Sequence, residues 1–161
     1  WGDRVVTETE FTGKVSFSGR LEIWSRALYA IQDFPFTGCG LGTLRKVVPL
    51  LYPLFTIPPD SDIAHAHNIF LQTAADIGLP GLIAYLALLG VAFGVAWRSD
   101  PQKGLPFLAA LIALHTYGLT DAIALGSKPG IAFWASLGML AILAVTAWEV
   151  KGSDGPKEHH D

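Results

Sequence analysis

The chain has 161 residues, 51% of them hydrophobic and only 16% charged, with a mean hydropathy of +0.41 and a formal net charge of -3. Soluble domains carry about a quarter charged residues, so an ordinary water-soluble globule is excluded, and the same apolar content excludes a disordered tail. With 11 Lys+Arg against 14 Asp+Glu there is no surplus of positive charge to neutralise phosphates, which excludes a dedicated nucleic-acid binder.

Residues 1–17 alternate loosely (Val5, Thr7, Thr9, Phe11, Val15, Phe17) and predict short extended pieces. The chain opens Trp1-Gly2-Asp3, its only Met is Met139, and it shows no basic n-region or apolar h-region. The expectation is therefore the C-terminal part of a larger polytopic protein whose earlier spans are missing. From Gly19 the pattern turns helical. Leu21, Trp24, Leu28 and Ile31 recur at three- and four-residue spacing, Ser18 stands at the N-cap, and Pro35 ends the run, giving an amphipathic helix over about residues 19–33.

Arg20 falls in the first turn of that helix, where the macrodipole disfavours a cation, so it needs a partner anion. That anion is either a carboxylate such as Glu22 or a phosphate shared with the backbone N–H groups. Arg26 is a second candidate, roughly on the opposite side of the helix. Gly38, Gly40 and Gly42 follow as G-x-G-x-G. No strand precedes them and no Lys-Ser/Thr follows, so close packing or positive-φ turns are expected in place of a nucleotide loop. The lone Cys39 has no disulfide partner in the chain and is assigned to packing.

A Pro- and aromatic-rich linker (Pro49, Tyr52, Pro53, Phe55, Pro58, Pro59) leads to Asp60, Asp62, His65 and His67. These are metal-ligand types, but two histidines two residues apart point to different faces of a helix, so metal binding stays a minor alternative. A second outer helix is predicted over about residues 66–77, with Ile69, Phe70, Thr73, Ala74 and Ile77 on its apolar face, interrupted at Gly78-Leu79-Pro80-Gly81. His67 then occupies its first turn, as a structural hydrogen-bonder or as a catalyst.

Three long runs are almost free of charge: residues 79–97, 105–125 (only Asp121) and 131–148. Each approaches the roughly 20 residues, at 1.5 Å rise, that cross a hydrocarbon core about 30 Å thick. A buried hairpin of a soluble protein is the competing reading, but the remaining sequence is too short to cover three such helices. Trp97, Trp134 and Trp148 near the span ends fit the aromatic belt. Arg98 and Lys103 in the first connection, and Lys151 and Lys157 in the tail at 149–161, outnumber Lys128 in the second connection. Positive-inside counting thus places residues 1–78 outside and the tail in the cytoplasm. Asp121 lies about one turn from the outer end of the second span, where it pairs with Arg26 or an arginine of a missing span, or takes part in catalysis. His115 is assigned to interhelical packing.

His67-Asn68, nine residues, Gly78, two residues and Gly81 resembles the H-N-x9-G-x-x-G signature of the O-antigen ligase and polymerase superfamily. The upstream residues Ser18-Gly19-Arg20, Ile23-Trp24, Asp33, Pro35, Gly38, Gly40 and Gly42 are similar to the segment preceding that histidine in the family. The resemblance implies an all-α integral membrane glycosyltransferase of the GT-C type, independent of metal and cofactor, in the bacterial cytoplasmic membrane with its active loop facing the periplasm. It would transfer a glycan from undecaprenyl diphosphate to an acceptor hydroxyl on a lipid core, with polymerisation or transfer to protein as alternatives. The implied partners are that donor, a lipid-core or glycan acceptor, the bilayer and the missing N-terminal spans. Arg20 would bind the diphosphate and His67 would be the essential histidine, acting as base or as a diphosphate hydrogen-bond donor, while Arg26, Asn68 and Asp121 are further substrate-binding candidates. A transporter would place paired charges deep in several spans, yet two of the three carry none; a non-catalytic membrane subunit would leave the Arg20 and His67 motifs accidental.

Overall fold

The computed structural model describes residues 17–58, 63–121 and 128–153. The extended pieces expected before residue 17, the carboxylates Asp60 and Asp62, residues 122–127 where the second expected span meets the second connection, and the tail from 154 lie outside the described residues. Within them the structure is all helical: α1 (Phe17–Asp33), α2 (Leu44–Leu51), α3 (Ile69–Arg98), α4 (Pro101–Gly118) and α5 (Lys128–Ser153).

Helix α1 buries Ile23, Ala27 and Ala30 against Leu44 and Val48 of α2 and against Ile63, Ala66 and Ala75. This face is rotated from the Leu21–Leu28 stripe that periodicity picked out, and Leu21 and Leu28 remain about half exposed, at 47% and 48%. Small side chains decide the orientation, because Ala27 and Ala30 let α1 approach its neighbours closely in a way that leucines would prevent. Helix α2 was not expected. Pro49 within the segment reads as a breaker, but the proline sits in the second turn of an eight-residue helix, so few backbone bonds are lost.

Helix α3 joins the stretches expected as the second outer helix and the first span into one 30-residue element broken at Gly78 (φ 74°, ψ 178°). The break follows from Pro80, which has no N–H to give the Asp76 carbonyl. Gly40 N–H takes that carbonyl (3.1 Å) and Cys39 N–H takes Ala75 O (2.8 Å), while Leu79 N–H turns to Pro35 O (2.7 Å). Residues 35–40 therefore clasp the kink, and Cys39 Sγ adds a contact to Ala75 O at 3.0 Å. Glycine is required on both sides. A Cβ on Gly78 would lie 2.6 Å from Phe36 O, and one on Gly38 (φ 65°) would collide with the Asp76 carbonyl.

A second core joins α3, α4 and α5 through Tyr85, Leu89, Ala92, Leu111, Phe133 and Leu140. His115 is buried there between the Tyr85 hydroxyl (2.8 Å) and Leu111 O (2.7 Å), as interhelical packing requires. Helix α4 is fixed at its start by Asp100, whose carboxylate accepts Gln102 N–H, followed by Pro101. Among the described residues α3 is the one helix long and apolar enough to cross a bilayer; the apolar stretch of α5 runs Gly130–Thr146 and α4 has 18 residues. Large apolar side chains nonetheless face outward on all three, including Ile83, Val91, Ile112, Ile131 and Ile142. Such a surface is anomalous in water and ordinary against lipid.

Candidate active site

The second outer helix begins at Ile69, later than periodicity placed it, because Asn68 is its N-cap. Asn68 Oδ1 accepts the N–H groups of Phe70 and Leu71, each at 3.0 Å. Its Nδ2 donates to Leu119 O (3.2 Å), so one side chain both starts α3 and ties it to the end of α4. Ala66 is pinned on the other side, buried, with its N–H on Gln72 Oε1 (2.7 Å). His67 lies between these fixed points at φ 48°, the one non-glycine residue at positive φ among those described. Non-glycine residues enter this region at a cost of about 1–2 kcal/mol, and such strain collects at functional sites.

Because this stretch is not helical, His65 and His67 do not diverge as a helical placement requires. Their rings meet edge to face with centroids 4.4 Å apart. Both point at Asp121, carried just past the end of α4. His67 Nδ1 lies 3.4 Å and His65 Nε2 3.7 Å from Asp121 Oδ1. Tyr117 donates its hydroxyl to Asp121 Oδ2 at 2.8 Å. Gly118 permits this meeting, since a Cβ there would fall 2.8 Å from Ile69 Cγ2 and push α4 away from the start of α3.

The His67–Asp121 separation suits a charge contact, but its alignment falls short of a hydrogen bond, leaving Nδ1 buried with that capacity unfilled. Burial holds the His67 imidazole below its ordinary pKa; His65 pushes the same way, Asp121 opposes, and Arg20 adds to the lowering. The neutral ring is therefore the resting form at pH 7. Its protonation pattern follows from its neighbour: with Nδ1–H toward the carboxylate, Nε2 carries the lone pair.

Arg20 is near enough for its charge to act on both His67 and Tyr117. Its Nε is buried without a hydrogen-bond partner. Glu22, the carboxylate that sequence offered it, is occupied elsewhere, accepting from Phe55 N–H, Thr56 N–H and the Thr56 hydroxyl. One turn along α1, Trp24 Nε1 is a second buried donor with no partner. The sequence places Trp24 in an apolar stripe and in the motif that resembles the family's, but an indole N–H is invisible to hydrophobic periodicity. Arg26 does not join the cluster. It donates from Nε to Pro53 O (2.8 Å), pairs with Glu22 Oε1 (3.5 Å) and lies over the Phe55 ring (5.3 Å), binding α1 to the segment after α2.

The charge of Arg20 acts on a polarised imidazole, and Arg20 Nε and Trp24 Nε1 are unfilled donors on the same helix; an anionic leaving group and a hydroxyl nucleophile demand groups of these kinds. His65, His67 and Asp121 also present ligand atoms within 4.8 Å of one another, a donor set of the kind that holds zinc. The Arg20 charge opposes a cation at that point.

The secondary structure of the described residues is all helical, with one span-length apolar helix and this cluster at its start, which fits part of an integral membrane protein. The family model for O-antigen ligase matches residues 3–86, just over half of the chain, and the chain belongs to that family. It is 28% identical over 116 residues to an O-antigen ligase of Pseudomonas aeruginosa, covering 72% of this chain. The match spans 25% of that relative's length.

Proposed function

We propose that this chain carries one wall of the active site of an enzyme that transfers a glycan from undecaprenyl diphosphate to an acceptor hydroxyl on a lipid core, at the periplasmic face of the bacterial inner membrane. The observation that carries the reading is the His67–Asp121 contact lying within the field of Arg20. In this reading α3, α4 and α5 all span the bilayer, and residues 1–78 form the outer loop.

The acceptor oxygen attacks the anomeric carbon as the bond from that carbon to the diphosphate oxygen breaks. The hydroxyl proton passes to His67 Nε2, and Asp121 balances the imidazolium that forms. The lipid diphosphate departs against Arg20, whose charge-assisted hydrogen bonds strengthen as negative charge develops, with the Trp24 indole N–H as a further donor. Asn68 contributes by capping α3 and fixing the turn at His67. No metal ion takes part, because the guanidinium supplies the charge that a cation would provide. The depressed His67 pKa favours the base role over that of a cationic donor to the diphosphate, since a neutral ring can accept the proton.

The test is complementation of a cell lacking surface-glycan ligation with the whole protein and its His67→Ala form. Ligation restored by the first and lost in the second, with lipid-linked long chains accumulating, supports the reading. Accumulation of single repeat units identifies a polymerase instead.

A further inference from the structure

His65 has no role in the reaction as described, yet it touches both parts of the catalytic pair. Its Nδ1 faces the backbone N–H of His67 at 3.4 Å, at the one non-glycine residue held at positive φ among those described. Its Nε2 faces Asp121 Oδ1 at 3.7 Å, the same oxygen that His67 Nδ1 approaches. These contacts select one tautomer. A ring nitrogen that accepts a backbone N–H carries a lone pair, so in the neutral ring the proton sits on Nε2 and is directed at the carboxylate.

We propose that His65 is a positioning residue for the transfer, holding the left-handed turn that presents His67 through Nδ1 and turning Nε2–H toward the Asp121 carboxylate. Two imidazoles then converge on Oδ1 while Tyr117 holds Oδ2 from the opposite side. The carboxylate cannot rotate without losing a contact, and the His67 ring, edge-on to His65, cannot swing back without meeting it. The inference rests on the assignment of His67 as the base, and it adds what sets the base in place. Misplacing a reacting group by about 1 Å can lower a rate by about 100-fold.

Two isosteric replacements divide the role. An Asn amide reaches the position of Nδ1 and a Gln amide that of Nε2. In the whole protein, reconstituted in bilayer discs with a lipid-diphosphate glycan donor, His65→Ala is expected to lower kcat about 10- to 100-fold with donor KM within about twofold. His65→Asn and His65→Gln should each recover part of that loss, and by different amounts. Unchanged kcat in His65→Ala, a loss carried mainly by KM, or equal impairment in all three variants would each overturn the proposal. If the Ala form does not fold, the contrast between the Asn and Gln forms decides. His67→Ala is measured in the same series: an active His67→Ala refutes the base assignment itself, whereas an inactive His67→Ala beside a normal His65→Ala refutes only the role given to His65.

Discussion

His67 Nδ1 and Asp121 Oδ1 stand 3.4 Å apart, although one precedes α3 and the other follows α4. The contact exists because α3 and α4 run back against each other as a hairpin and Asn68 closes its open end onto Leu119 O. Asp121→Asn keeps the shape and removes the charge that balances an imidazolium. The expected result is a fall in kcat of about 100-fold with normal assembly in the membrane, since positioned acid–base groups contribute about 100- to 10,000-fold. Turnover kinetics beside a membrane-integration assay check it.

The pH dependence follows from the lowered His67 pKa. The proposed base works only when unprotonated, so a depressed pKa should keep the transfer running down to a lower pH than a free imidazole would. The acid limb of kcat/KM against pH should lie below 6.5. Asp121 acts to raise the His67 pKa, so Asp121→Asn should move that limb to still lower pH. A shift upward would contradict the geometry.

Chelation separates the two uses to which His65, His67 and Asp121 lend themselves. Incubation with EDTA, followed by assay in metal-free buffer, is expected to leave the transfer rate unchanged, because in the proposed mechanism Arg20 supplies the positive charge. Loss of activity restored by added Zn²⁺ would convert the cluster into a metal centre.

Replacing the kink glycine should damage the fold before the chemistry. Gly78→Ala places a Cβ against the Phe36 carbonyl in a left-handed backbone, which alone costs about 1–2 kcal/mol. A lowered midpoint of thermal unfolding in detergent is the expected outcome. Gly42→Ala is the comparison, because it shares a positive φ (66°) but has open space where the Cβ would go. Its midpoint should fall less.

Arg20→Lys keeps the charge but loses the planar fork. Weaker donor binding, read as a several-fold rise in KM with a fall in kcat, is expected because a guanidinium grips a diphosphate through two parallel bonds and an ammonium does not.

Helical content, the end of α1 at Asp33 and the break at Gly78-Leu79-Pro80 were legible in sequence, because prolines and glycines act through local backbone sterics. The buried face of α1 was not: hydrophobic periodicity weighs Leu21 and Leu28 above Ala27 and Ala30, whereas close packing prefers the small residues. Arg20 and His67 stood out as charged or titratable residues at predicted helix starts. Their gathering with His65, Tyr117 and Asp121 was hidden, since it depends on a turn of non-helical backbone at His67 and on the long-range pairing of α3 with α4. Asn68 illustrates the limit. Sequence marks it as part of a motif and offers it to substrate, and the fold shows both ends of its amide engaged with backbone.

The clasp at residues 35–40 holds α1 at one end, and Arg20 stands at the other, about 20 Å away by helix rise. Helix α1 is therefore a lever with its fulcrum at the kink, and a tilt of about 3° shifts the guanidinium by about 1 Å. What sets that tilt is the depth to which Ala27 and Ala30 seat against the neighbouring core. The gap between the cation and the imidazole thus depends on methyl groups remote from both, and enlarging one of them would act on that gap through the helix as well as on the packing around it.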